Sequence, residues 1–204
     1  MKKVFSFDAE TNGLWGKAFA IGALVYDEQG VEIARFVGRL PDTEVTDAWV
    51  RENVLPKIGD IPVTHADYDE LLASFAEFYK ANKMDADVIV HMGFIVEVKT
   101  LRDLHAAGLI GDWDAPYPLL DVSGNLQQAG EDPTSVDGYV KKHELSVGEC
   151  GRRNAQPALR LRRRSRRLPP PDPQQVAHRS LGELHQQKPS ARPSGTALSL
   201  FAQK

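Results

Sequence analysis

Hydrophobic and polar positions alternate at both of the protein's natural periods. "VFSFD" (4–8), "FAIGALVYD" (19–27) and "VEIARFVGR" (31–39) are short apolar or alternating runs that predict strands, and "DEQG" (27–30) supplies a hairpin turn between the last two. An antiparallel meander therefore opens the chain. In "THADYDELLASFAEFYKAN", Leu71, Leu72, Phe75, Phe78 and Tyr79 recur at helical spacing behind Thr64 and Asp67 as caps, which predicts an amphipathic helix over 67–81. "ADVIVHM" predicts a short buried strand. "EVKTLRDLHAAG" (97–108), closed by Gly108, and "SVDGYVKKHEL" (135–145) predict two further helices. Three strands, a helix, a strand and more helices describe an α/β fold built on a mixed sheet.

Composition narrows the class. The 204 residues are 42% hydrophobic, enough for a core, and no apolar run approaches the length that crosses a bilayer. Lys2 and Lys3 lead to the acidic Asp8 rather than to a signal-peptide core, so a cytoplasmic location with no membrane partner is expected. The single cysteine, Cys150, excludes an internal disulfide and a cysteine-built zinc site, leaving oxygen or imidazole for any metal.

The net charge of −3 conceals a division. Residues 1–150 hold 13 basic and 26 acidic side chains, a balance of −13, whereas 151–204 hold 12 and 2, a balance of +10. The second part contains "RLRRRSRRLPPPDPQQ" and has Phe201 as its only aromatic residue. The expected organisation is a folded domain over 1–149 and an arginine- and proline-rich tail over 150–204, disordered or foreign to the domain.

Asp8 and Glu10 end the first strand two residues apart, so the pleat sends both carboxylates to one face. Like charges this close raise each other's pKa unless a cation intervenes. Carboxylate oxygens suit Mg²⁺ or Mn²⁺, and two such ions roughly 3.5 to 4 Å apart form a recurrent device for phosphodiester hydrolysis. A plain strand end running into the "TNG" turn accounts for the same two residues without chemistry.

"FSFDAETNGL" resembles the first motif of the DEDD, or RNase T-like, 3′-to-5′ exonucleases, in which an apolar strand ends in D-x-E before a β-hairpin. "WVRENVLP" (49–56), the helix at 67–81 and "VIVHMGFIVEVKTLRDL" (88–104) resemble, in order, the bacterial exoribonuclease-like branch. The resemblance covers about residues 1–149 and implies an RNase H-like sheet flanked by helices. Glu97, four residues before Leu101, matches the family's second acidic motif, although the commoner residue is aspartate and Glu97 stands one position further from His91 than usual. A helix-opening glutamate that favours the helix dipole is the alternative. His91 reads as a packing or hydrogen-bonding residue at a strand end.

The resemblance implies Asp8, Glu10 and Glu97 as metal-binding and catalytic carboxylates holding two Mg²⁺ or Mn²⁺ ions, with Glu10 also near the terminal 3′ hydroxyl. It further implies single-stranded RNA or DNA 3′ ends as substrate, RNA from the branch, and a homodimer. Leu14, Trp15 and Phe94 are the expected base-stacking or wedging residues, with core packing the alternative for Phe94.

The family's third motif, H-x4-D, is missing. His143 and Asp137 precede its expected position, and His178 and His185 have no aspartate five residues on. Read one nucleotide later, codons for "NAQPALRL" (154–161) permit Thr-His-Asn-Pro-Leu-Tyr-Asp-Cys, an H-x4-D in register. A frameshifted remnant from near residue 150 is therefore expected, with weak or absent turnover. The competing reading takes the eight arginines between Gly151 and Leu168 as a phosphate-binding arm of a non-catalytic nucleic-acid-binding protein. A small-molecule phosphodiesterase on the same fold is a third class.

Overall fold

In the computed structural model, which describes residues 3–145, the apolar alternation of the first forty residues builds three consecutive strands. They are β1 (Lys3–Thr11), β2 (Ala18–Tyr26) and β3 (Glu32–Arg39), joined antiparallel in that order. The hairpin between β2 and β3 has local causes. Asp27 Oδ1 accepts from the amides of Gln29 and Val31 at 2.9 and 2.8 Å, and Gly30 takes φ +79, which costs glycine nothing.

A 3₁₀ turn (Asp42–Glu44), α1 (Ala48–Asn53), α2 (Leu55–Ile58) and α3 (Tyr68–Asn82) come next, then β4 (Ala86–Val90), α4 (Val96–Ala106), β5 (Leu119–Asp121), α5 (Val122–Gln128) and α6 (Val136–Lys142). β4 lies parallel to β1, and β5 parallel to β4, giving the order β3-β2-β1-β4-β5. This is the mixed α/β sheet the pattern predicts, opened by an antiparallel meander and flanked by helices.

α3 starts where its cap dictates. Asp67 accepts from the Glu70 amide at 2.9 Å while the Glu70 carboxylate accepts from the Ala66 amide at 2.6 Å, satisfying two donors at the helix entry. Thr64 does not cap the helix. Its hydroxyl accepts from the Arg39 amide at 3.0 Å and closes the end of β3 instead. α4 ends as expected near Gly108, whose φ of +69 turns the chain away. α6 is shorter than 135–145 because Ser135 caps it through the Gly138 amide (2.9 Å) and His143 ends it.

The pleat of β1 divides the interior. Phe5, Phe7 and Ala9 enter the main core with Leu71, Phe75 and Tyr79 of α3 and Leu101 and Leu104 of α4. Rings of Phe5, Phe7, Phe36, Phe75, Phe78 and Tyr79 meet at centroid distances of 5.4 to 6.3 Å. Val4, on the opposite face, joins Ile89 and Val122 in a smaller cluster, with Val136 packed against it. Among the described residues no helix is long and apolar enough to cross a membrane. The expected boundary near residue 150, the arginine-rich segment and the displaced H-x4-D lie outside the described residues.

Candidate functional site

The connections from the parallel neighbours β1 and β4 leave in opposite directions, toward β2 on one side and β5 on the other. Their carboxyl ends therefore mark a topological switch point, the kind of place where ligands enter open α/β sheets. The acids singled out in the sequence stand at this end.

Asp8 and Glu10 lie within β1 rather than beyond it, opposite Gly22 and Ala20 of β2. Immediately after Glu10 the register shifts: Thr11 pairs with Ala18, leaving Phe19 as the extra residue on β2. Such a bulge increases local twist and re-aims the neighbouring side chains. By alternation with Phe7 and Ala9, the two acids share the face of Val4. Asp8 is only 5% exposed, and Glu10 is half-buried.

Pairing between β1 and β4 stops at Ser6 and Ile89, so β1 runs on beyond its neighbour. There the Ala9 amide donates to Glu97 Oε1 across 3.4 Å, a long hydrogen bond. Glu97 belongs to the first turn of α4 and is 3% exposed. The structure thus brings the third acid to the residue between the first two.

Hard, buried oxygen donors suit Mg²⁺ or Mn²⁺ in kind. Among the described residues, however, no group of three or more His, Cys, Asp or Glu side chains is arranged to hold a metal ion. The pleat supplies a reason. Asp8 and Glu10 leave the face opposite the α4 layer, whereas Glu97 reaches in from α4 at the strand's edge.

The other expected site residues crown the same end of the sheet. Leu14 and Trp15 are 61% and 68% exposed in the loop after β1. Asn12 builds that loop: its amide donates to Lys17 O (3.1 Å), its Nδ2 to Glu44 O (2.9 Å), and its Oδ1 accepts from Thr46 N (2.7 Å). A Cβ at Gly16 would fall 1.9 Å from the Asn12 carbonyl, so this tight loop requires glycine there. Phe94 is 78% exposed after β4, which removes the core-packing alternative for it. His91 is buried at the end of β4 and donates from Nε2 to Pro133 O at 2.9 Å. His143 lies against Tyr139 with the rings tilted, centroids 4.4 Å apart, and donates to Glu131 at 2.9 Å.

Sequence reasoning overlooked one acid. Asp121 ends β5, and its carboxylate accepts from the amides of Met92 (3.1 Å), Gly93 (3.0 Å) and Ser123 (2.9 Å) and from Ser123 Oγ (2.5 Å). Burial alone would raise its pKa; the bonds from Ser123, Gly93 and Met92 outweigh it and hold the carboxyl below the usual aspartate range. The signal was present as "LLDVS", an apolar run closed by an aspartate that can cap a helix beginning at the next residue.

No family model matches the chain, and no curated protein matches it in sequence. Among solved structures, it is similar to E. coli Exonuclease I in complex with a dT13 oligonucleotide, at 12% identity and a TM-score of 0.42. That likeness covers 63% of this chain and 29% of the other. The same enzyme in complex with a dA16 oligonucleotide gives 12% identity, a TM-score of 0.39, and coverage of 63% and 30%. The chain thus spans less than a third of the length of those proteins.

Proposed function

We propose that residues 1–149 are a divalent-metal-dependent 3′-to-5′ exonuclease domain of the DEDD kind, hydrolysing phosphodiester bonds at single-stranded 3′ ends, with RNA the preferred substrate. The reading rests chiefly on the bond from the Ala9 amide to Glu97, which ties the start of α4 to the β1 backbone between Asp8 and Glu10.

In this reading Asp8, Glu10 and Glu97 would hold the cation. The chemistry it supplies when bound is polarisation of a water and neutralisation of charge on the scissile phosphate. The chain's own residues do the rest. The rigid loop behind Asn12 offers Leu14 and Trp15, and the turn after β4 offers Phe94, as faces on which terminal bases stack. Glu10, at the bulge, would contact the terminal 3′ hydroxyl.

The site is incomplete. The sequence lacks the H-x4-D motif that supplies the base in the resembling family, and loss of a general base costs on the order of 10² to 10⁴ in rate. Weak turnover is expected, and turnover at the rate of an intact exonuclease would refute this part of the reading.

The test is degradation of a 3′-labelled single strand with Mn²⁺, comparing the parent with Asp8→Ala/Glu10→Ala. Slow stepwise loss of label that disappears in the double variant supports the proposal. Tight binding with no degradation in either favours the second reading, a non-catalytic binder whose +10 tail supplies the affinity.

A further inference from the structure

Asp121 lies beside the one segment that must be held still. Val90 and Asp121 are directly paired across the parallel β4–β5 ladder, so Asp121 stands next to the last residue of β4. The chain then has five residues, His91 to Ile95, in which to leave the sheet and start α4. Met92 takes φ +54, a left-handed conformation that non-glycine residues adopt only when their surroundings impose it.

The two oxygens of Asp121 divide the work. Oδ1 accepts from Met92 N and Oδ2 from Gly93 N, gripping successive amides of that turn. The turn has no slack on its other side. A Cβ at Gly93 would lie 2.5 Å from Val90 Cγ2 and 3.2 Å from Glu97 Oε2. The Gly93 carbonyl accepts from Val98 N at 3.0 Å, tying the turn to the first residues of α4.

From this geometry we infer that Asp121 is a positioning residue for Glu97: by clamping Met92 and Gly93 it fixes the entry of α4 and so aims the Glu97 carboxylate at Ala9. The inference rests on the reading of Asp8, Glu10 and Glu97 as one carboxylate site. Both Asp121 oxygens are engaged by backbone amides, with Ser123 Oγ also donating to Oδ1. Asp121 acts through the backbone, as outer groups orient metal-binding side chains elsewhere.

Helix capping and clamping can be separated. Asp121→Asn keeps a good cap for α5 but places an amide NH₂ against a backbone N–H, releasing one jaw of the clamp. Ser123→Ala removes the hydroxyl bond and leaves both jaws. Gly93→Ala keeps Asp121 and crowds the turn from the other side. Each is made in the full chain, alone and with Glu97→Gln, and read in two ways: the position of the Ala9 amide resonance without metal, and the Mn²⁺ dissociation constant from water-proton relaxation.

Asp121→Asn and Gly93→Ala are expected to shift the Ala9 resonance and weaken Mn²⁺ binding about tenfold, the lower end for an outer-shell change. Both effects vanish in the Glu97→Gln background, and Ser123→Ala produces neither. The same loss of affinity with and without Glu97, or an unmoved Ala9 amide in a folded Asp121→Asn chain, overturns the inference. If Glu97→Gln alone leaves Mn²⁺ affinity unchanged, the carboxylate site itself fails and the positioning role falls with it.

Discussion

Asp121 shows how one side chain can bind a strand end, a helix cap and a loop, and its depressed pKa makes that role measurable. A carboxyl whose folded pKa lies below its unfolded value of about 3.9 stabilises the protein above that pH and loses its contribution as pH falls through the lower folded value. Urea midpoints of the parent should therefore drop on acidification below about pH 4, and those of Asp121→Asn should drop less steeply. Equal slopes would remove Asp121 from the acid-labile set. Phe94 makes the opposite prediction. Because it is mostly exposed, Phe94→Ala should leave stability within about 0.5 kcal/mol but weaken single-strand binding by about 1–3 kcal/mol in an anisotropy titration. At this scale the sequence disclosed Asp8 and Glu10, because a strand fixes which residues share a face. It hid Asp121, whose partners lie 28 and 29 positions away and are set only by the pairing of β4 with β5.

Elements were legible in proportion to their periodicity. α3 carries four turns of apolar stripe and two caps, so its place could be read without tertiary context; only Thr64 was drawn elsewhere, to Arg39. Phe75 lies fully buried among three aromatic rings and the aliphatic core, so Phe75→Ala should cost about 3–5 kcal/mol in urea denaturation. Asp67→Ala, which removes one cap, should cost about 1 kcal/mol. If the two losses were alike, the main core would not lie where Phe75 does. β5 and α2 could not be read from pattern. A three-residue strand and a four-residue helix hold little more than one period of their own structure, and such pieces persist because longer neighbours, β4 in the first case, supply their partners.

For the whole molecule, the question is whether an acidic domain and a basic tail act as one. A chain ending at residue 149 should retain cooperative unfolding, since it keeps both core clusters found among the described residues. It should lose most of the salt dependence of nucleic-acid binding: eight arginines engaging a single strand give a log–log slope of about −5 to −6, at roughly −0.7 per phosphate. A truncated chain with the same slope would place the phosphate contacts on the domain instead. Codons of residues 154–161 that spell H-x4-D in a shifted frame would account for the motif's absence from the chain, and DNA that cannot spell it rejects that account.

The central claim is that acids of β1 and α4 form one divalent-cation site, and paramagnetic broadening of backbone amides by Mn²⁺ tests it most directly. Broadening that begins at residues 8–10 and 93–97, and disappears in Asp8→Ala/Glu10→Ala, is the expected result. Broadening that begins among other acids, or survives that double substitution unchanged, would contradict it.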